Sequence, residues 1–473
     1  TATAGAFNTL AMGINKTETA VLWKTGKMWF RVPETVKIVL KNRLPEGVFA
    51  KDLALWIKGI LSKLDVNGLA IEYHGEGVAS LSIDDRMTIA NISTEMGVVS
   101  SAFPPDDRLA DYFNEPAVRG VWADEEAVYS RFIEIDLANV FPMVYDTGNN
   151  VLQGVEELVG LKIQQGLIGA CASGRLEDLR LVSMILEGKH IANGFQLFVV
   201  PASRDIYLRA VEEGIIDKIA QSGAMVLGSS CGPCLGVGRV ASVGNSRFIS
   251  TANSQYIGGT NHSGVEKYIA SPATVAMTAL RGELTPMIHF EGTQYKYNIP
   301  RIEPVVLGEY DYRKSNGVWN YGDIDNISSN QIFSEKLTCR LTLEQVEEIK
   351  PYLFKGLDPN FTCDVKPGDI IIAGENFGCG QLVKHAATGL VAVGVKLVIA
   401  KSVNRDFYRM AINHGLRILV DWAVVDAYTS GEQLTIDDEN HLLYLNERAY
   451  KLPYVDAEFQ KILEKGGLVN AFS

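Results

Sequence analysis

The sequence predicts an α/β protein with largely parallel sheets, divided into more than one domain. Three observations lead there. Short apolar runs alternate with amphipathic stretches through the first three hundred or so residues. Residues 285–330, rich in Tyr, Asn, Gly and Pro, break that rhythm, and a new α/β unit begins near residue 330. With 473 residues the chain exceeds what one core accommodates, so about two to four domains are expected.

Taken in order, Val36–Leu40 and Leu69–Tyr73 read as strands. Between them Leu53, Trp56, Ile57, Ile60, Leu61 and Leu64 recur at helical spacing and mark one face of a helix. Leu197–Val200 reads as a strand, with Ser203 placed to cap the helix after it. Met225–Gly228 and Phe248–Ser250 are again strand-like, and Pro272–Leu280 starts a helix with proline in its first turn. In the later unit, strand Ile370–Ala373 leads into a glycine-rich turn, Gly374–Gly380. Helix His385–Gly394 and strand Val395–Ala400 follow. Strands alternating with helices argue for layered α/β architecture.

Bulk composition narrows the function. A hydrophobic content of 47% with 21% charged residues fits a globular protein. No apolar run reaches the roughly 20 residues of a membrane helix, so no membrane role is expected. Net charge is −12 without a Lys/Arg cluster, which argues against nucleic acid as a partner. The six cysteines (171, 231, 234, 339, 363 and 379) are few and unevenly spaced, so a disulfide framework is not expected. A reducing cytoplasmic location follows, and clustered cysteines become candidates for metal or catalysis.

Cys231-Gly232-Pro233-Cys234 is such a cluster, and three readings compete for it. A thioredoxin-type redox pair would have an aromatic residue before it and a helix after it. Here the flanks are Gly228-Ser229-Ser230 and Leu235-Gly236-Val237-Gly238. A structural zinc site needs four ligands, and no second pair lies at finger spacing. An iron–sulfur cluster would take Cys171, in Gly169-Ala170-Cys171-Ala172-Ser173-Gly174, as its third ligand. Three thiolates would leave one iron open as a Lewis acid for a substrate hydroxyl. Against this stands the ordinary fate of a lone cysteine, a small buried side chain. Spacing alone leaves these alternatives open.

The surrounding residues carry a resemblance. Gly169–Arg180, with Arg175-Leu176-Glu177-Asp178-Leu179, resembles the first cluster-cysteine segment of 3-isopropylmalate dehydratases and homoaconitases in the aconitase superfamily. The Cys231/Cys234 loop is similar to their second. Thr1–Gly13 resembles the segment after the family's Asp-Ser-His motif, and Lys24–Ile38 its entry into the next strand. Asp85–Gly97 is similar to the helix carrying a cluster-side Asn and Glu. Gly374–His385 is similar to the active-site loop of the mobile swivel domain. The resemblance implies aconitase-type α/β/α domains around a 4Fe-4S cluster plus a C-terminal swivel domain. It divides the chain into 1–35, the tail of a first domain whose remainder is expected upstream; 36–155, a second domain; 156–290, a third carrying the cysteines; 291–314, a linker; and 315–473, the swivel domain.

By the same resemblance Cys171, Cys231 and Cys234 are the cluster ligands. Asn91 and Glu95 match the family's pair, and i, i+4 spacing would place both on one helix face. Asn253 matches an asparagine beside cluster and substrate. Substrate contacts are expected from Asn253, Ser254, Gln381 and Lys384, and catalysis from Glu95, Asn91 and His385. The departures fall on the substrate side. Ser254, Gly259 and Val383 stand where the family has arginines, Leu382 where it has its catalytic serine, and Ala172 and Ser173 follow the first cysteine in place of Thr and Asn. Small or apolar side chains cannot reproduce a bidentate guanidinium, and leucine cannot abstract a proton. Lys384 is an alternative base. His385 matches a family histidine and is read as structural.

The expected function is therefore a cluster-dependent hydro-lyase or isomerase acting on a small hydroxy acid with altered carboxylate placement. An ordinary 3-isopropylmalate dehydratase, a non-catalytic cluster-bearing sensor and a thiol redox protein are the alternatives. The sequence does not fix an oligomeric state.

Overall fold

The computed structural model describes residues 2–64, 66–231, 246–253, 265–289, 296–299, 305–308, 311–333, 349–380, 383–437, 439–452 and 457–472. The chain forms two compact units, Thr1–Gly13 with Pro33–Arg301, and Ile14–Val32 with Ile302–Ser473. Helix α1 (Lys16–Thr25) thus belongs to the second unit although it lies early in the sequence.

The first unit holds two sheets. Strands β1 (Thr35–Lys41), β2 (Ala70–His74), β3 (Ser100–Ala102) and β4 (Arg131–Asp136) pair in parallel in the order β3-β2-β1-β4. In β1 and β2 alternate residues are buried, as expected of strands with one face on a core. The second sheet contains β5 (Met143–Asp146), β6 (Val151–Gly154), β7 (Gln165–Gly169), β8 (Gln196–Val200), β9 (Met225–Val226), β10 (Arg247–Ser250), β11 (Glu266–Ala270) and β12 (Lys296–Asn298). Its order is β12-β6-β5-β11-β10-β7-β8-β9. From β11 to β9 neighbouring strands are parallel; from β12 to β11 they are antiparallel.

One core joins the inner faces of both sheets through helices α2 (Ala50–Leu61) and α3 (Ile83–Ser93), packed against each other. The sequence reads α2 as having one apolar face. Leu53, Ile57 and Leu61 are buried as that reading requires, but so are Lys51, Asp52 and Lys58. The reason is its sandwiched position: α2 contacts α3 on one side and β5 and β11 on the other. A second core covers the far side of the large sheet with helices Leu176–Leu186, Arg204–Glu212, Ile215–Gln221 and Pro272–Arg281. Ser203 caps the second of these by accepting from Ile206 N at 3.2 Å, and Pro272 opens the last.

Two local differences from the sequence reading have simple causes. Strand β9 ends at Val226 rather than Gly228, since it pairs only with β8 at the sheet's edge. Strand β12 lies within the stretch read as a linker, where Lys296–Asn298 finds antiparallel partners along β6.

The second unit is built on β13 (Lys314–Ser315), β14 (Val318–Tyr321), β15 (Ile370–Ala373), β16 (Leu397–Ala400) and β17 (Arg417–Val420), in that order and parallel after β13. Helices Val383–Ala392 and Arg405–Asn413 cover one face. Helix Trp422–Ala427 and the antiparallel ladder of β18 (Leu434–Asp437), β19 (Leu442–Leu445) and β20 (Arg448–Lys451) cover the other. Helix α1 starts on a capping box, Asn15 with Glu18, and stops at left-handed Gly26. It packs through Val21 onto Ile412, Ile462 and Leu468. Buried Glu18 pairs with Arg409 and accepts from Asn413 Nδ2 at 2.6 Å.

Candidate active site

Cys171 sits where β7 ends. Gly169 has φ +118° and Ala170 φ +55°, so the backbone reverses within two residues and presents Cys171 exposed on a short helical turn, Ala170–Ser173. A Cβ on Gly169 would lie 2.0 Å from Val200 O, and one on Gly174 2.5 Å from the same oxygen. Both glycines are therefore needed for the turn to lie against the end of β8. Gly169 N–H donates to Thr251 Oγ1 at 2.9 Å, tying the turn to the end of β10.

The turn is clamped by Arg175, only 4% exposed. Its guanidinium donates to Cys171 O at 3.0 Å, Ala172 O at 3.1 Å and Thr88 Oγ1 on α3 at 2.8 Å. Cys231 is also an exposed free thiol, in the loop after β9. Asn253 follows β10. Since β7, β9 and β10 run parallel in one sheet, Cys171, Cys231 and Asn253 all emerge from its carboxyl edge, where α/β folds build their sites.

Asn253 and Asn91 are brought together. Asn253 Nδ2 donates to Asn91 Oδ1 at 2.8 Å, and Asn91 Nδ2 donates to Thr3 Oγ1 at 3.0 Å. Behind them Lys51 Nζ donates to Asn253 Oδ1 at 3.0 Å. Lys51 is 2% exposed, and burial pushes its ammonium down to about 8, opposed by the charges of Glu95 and Cys171. Burial also lowers Lys58, again opposed by Glu95, and its ammonium lies 4.5 Å from the Tyr145 ring centroid. Burial, with the charges of Asp146 and Glu95, pushes the Tyr145 phenol up to about 12. Glu95 thus shares a neighbourhood with two buried lysines. It does not share a regular helix with Asn91: α3 ends at Ser93, and Glu95 lies on the 3-10 turn Thr94–Met96 that follows. The tighter winding there replaces the i, i+4 geometry the spacing suggested.

A cavity of about 600 Å³ opens beside Cys171, with Thr3, Met87, Arg108, Arg175, Ile206 and Arg209 among its walls. Arg180 also lines it, with Asp84, Asp111 and Glu177, so acidic and basic groups nearly balance.

Lys384 and His385 belong to the second unit. Both lie in the first turn of helix Val383–Ala392; Lys384 is exposed and His385 half-buried, its ring 5.7 Å from that of Phe333. Burial and the neighbouring Lys384 charge lower His385. Val383, at the family's arginine position, is the half-buried first residue of that helix. Cys234, Ser254, Gly259, Gln381 and Leu382 lie outside the described residues. Among the described residues no group of three or more His, Cys, Asp or Glu is assembled for a metal. The donors present nonetheless suit an iron–sulfur cluster: two exposed thiols on one sheet edge, and beside them Ser173 Oγ, buried without a hydrogen-bond partner among the described residues.

Sequence reasoning missed Lys51 and the clamping role of Arg175. Arg175 stands within the motif around Cys171, which could have drawn attention to it. Lys51 carries no local signal, since a lysine in a helix's first turn ordinarily faces water.

Comparison with known proteins points to the same family. The model of the aconitase family (aconitate hydratase) matches residues 1–153 and 147–282, and that of the aconitase C-terminal domain matches 305–420. The chain is 38% identical over 290 residues to 3-isopropylmalate dehydratase large subunit 1 of Methanopyrus kandleri, covering 60% of this chain and 69% of that protein. It is 28% identical over an alignment of 530 residues to the mitochondrial homoaconitase of Debaryomyces hansenii, covering 98% of this chain and 76% of that one. Among solved structures, 3-isopropylmalate dehydratase (leuD) of Methanocaldococcus jannaschii is 34% identical, covering 31% of this chain and 86% of that chain with a TM-score of 0.28.

Proposed function

The chain belongs to the aconitase family, and from that premise we propose that it is an iron–sulfur hydro-lyase that removes water from, and returns it to, a small hydroxy carboxylic acid. Cys171, Cys231 and Cys234 would hold a 4Fe-4S cluster. Bound through three thiolates, such a cluster supplies one open iron as a Lewis acid for the departing hydroxyl.

The observation that carries the reading is the presentation of Cys171. A left-handed turn exposes its thiol, Arg175 fixes the turn's carbonyls, and a cavity of about 600 Å³ lies alongside. Around it the chain's own residues divide the work. Asn91 and Asn253 offer amide groups to polar atoms of the acid. Glu95, whose charge acts on the buried ammoniums of Lys51 and Lys58, would exchange a proton with the departing or incoming water. Arg108 and Arg209 on the cavity wall offer charge to a carboxylate. The proton on carbon needs a base other than the family's serine, because Leu382 stands there; Lys384 is the nearest ionisable candidate in sequence. His385, leaning on Phe333, suits a supporting role.

Free exposed thiols at Cys171, Cys231 and Cys363 favour a reducing, cytoplasmic compartment. Among the described residues no helix is long and apolar enough to cross a membrane.

The test is anaerobic reconstitution of the full chain followed by a screen of hydroxy acids and their unsaturated partners. Reversible hydration of at least one pair is expected. A full cluster with no turnover of any pair would overturn the proposal. It would favour a second reading, a cluster-bearing sensor without catalysis, for which Leu382 and Val383 at the family's serine and arginine positions are the motivating observation. Turnover confined to isopropylmalate would instead make it an ordinary member of that branch.

A further inference from the structure

Four side chains in the first unit form a hydrogen-bonded series with Lys51 at its head. Lys51 Nζ donates to Asn253 Oδ1, Asn253 Nδ2 to Asn91 Oδ1, and Asn91 Nδ2 to Thr3 Oγ1, at 3.0, 2.8 and 3.0 Å. A carboxamide has a donor end and an acceptor end, so two linked amides can point either way along a series. The far terminus does not decide between them, because the Thr3 hydroxyl can both donate and accept. Lys51 can decide. An ammonium has donors only, so it takes the oxygen of Asn253, turns the Asn253 amide nitrogen toward Asn91, and thereby turns the Asn91 nitrogen toward Thr3.

We propose that Lys51 is a positioning residue: its donor-only ammonium sets the direction of the Lys51–Asn253–Asn91–Thr3 series and so fixes the orientation in which the two carboxamides meet the hydroxy acid. The inference rests on the reading of this region as the active site. Its physical support is independent of that reading. A lysine 2% exposed at the start of α2 is costly to bury, and an asparagine oxygen 202 positions away accepts its hydrogen bond. Reversed amides would exchange donor for acceptor at both ends of each side chain, an error that burial magnifies.

The test uses the full chain with two substitutions. Lys51→Met fills the space without a donor, and Lys51→Gln offers a side chain that can donate or accept and so imposes no direction. Three readouts separate the possibilities: iron and sulfide per chain after reconstitution, kcat and KM on a hydroxy acid the unaltered protein turns over, and side-chain amide nitrogen resonances of asparagine-labelled metal-free protein. Both variants are expected to hold as much iron as the parent. Their kcat is expected to fall about 10- to 100-fold with KM within about threefold, the size of a lost charge-assisted hydrogen bond. The Asn91 and Asn253 amide resonances are expected to move. Should Lys51→Met fail to fold, the glutamine variant alone decides. Unmoved amide resonances, or an unchanged kcat in a turnover-competent protein, overturn the proposal. If the parent turns over no hydroxy acid, the proposed activity fails, and the amide resonances still decide whether Lys51 orients the two asparagines.

Discussion

Asn253 Nδ2 lies 2.8 Å from Asn91 Oδ1, a hydrogen bond between side chains 162 positions apart in the chain. One follows a strand of the large sheet, and the other lies on a helix of the layer against it. Their meeting makes the first unit's two sheets a single site rather than two neighbouring folds. The Cys171 turn, between them in sequence, follows a constrained backbone path of its own.

That path depends on Gly169. With φ +118° and Val200 O 2.0 Å from where a Cβ would stand, Gly169→Ala is expected to lower stability by about 3 kcal/mol or more. Gly188 also has positive φ, but nothing lies within 4 Å of its Cβ position, so Gly188→Ala should cost only about 1–2 kcal/mol. Denaturant unfolding of the metal-free proteins measures both; equal losses would show that the close approach to β8 does not matter.

The Arg175 clamp should be visible in cluster retention. Arg175→Met removes the donors to Cys171 O, Ala172 O and Thr88 Oγ1 while keeping much of the volume. Loss of such supporting bonds is expected to weaken iron retention about 10- to 100-fold against a chelator. Cys171→Ser should lose most of the iron yet, at an exposed position, leave metal-free stability within about 0.5 kcal/mol. Parent-like iron content in Cys171→Ser would remove that cysteine from the ligand set.

Asp52 provides a pH signature. Its carboxyl accepts from Phe49 N and Met143 N at 3.0 Å each, but complete burial outweighs these bonds and pushes it up from 3.8 to about 7. A folded value above the unfolded one means the native state holds the proton more tightly. The group's contribution is therefore fully present below about pH 4 and is lost as pH rises through about 7. Stability curves of the parent and Asp52→Asn should converge at low pH and separate by pH 7, with the parent losing more. Parallel curves would contradict the shift.

In the second unit, Glu18 on α1 pairs with Arg409, whose guanidinium lies 4.8 Å from the centre of the Trp29 ring. Glu18→Leu alone leaves a buried guanidinium without its carboxylate and is expected to cost about 3–5 kcal/mol. Adding Arg409→Met should recover most of that loss, because the pair's desolvation disappears with it. Tryptophan fluorescence, to which Trp29 contributes, reports the transition. Additive losses in the double variant would mean that the two residues act separately.

The sequence by itself determined the α/β class, seven of the twenty strands among the described residues, the cap at Ser203 and the proline start at Pro272. It also singled out the cysteines and asparagines as candidates by their place within motifs. These are legible because periodicity, capping and turn chemistry act over a few neighbouring residues. Cys234, Ser254, Gln381 and Leu382 remain sequence assignments outside the described structure. Only the tertiary structure decided that Glu95 leaves the helix of Asn91, that α1 packs in the second unit, and that Lys51 is buried against Asn253. Nothing local marks such a lysine. Its role arises when one helix is enclosed between another helix and a sheet, which removes water from a face that sequence pattern assigns to solvent.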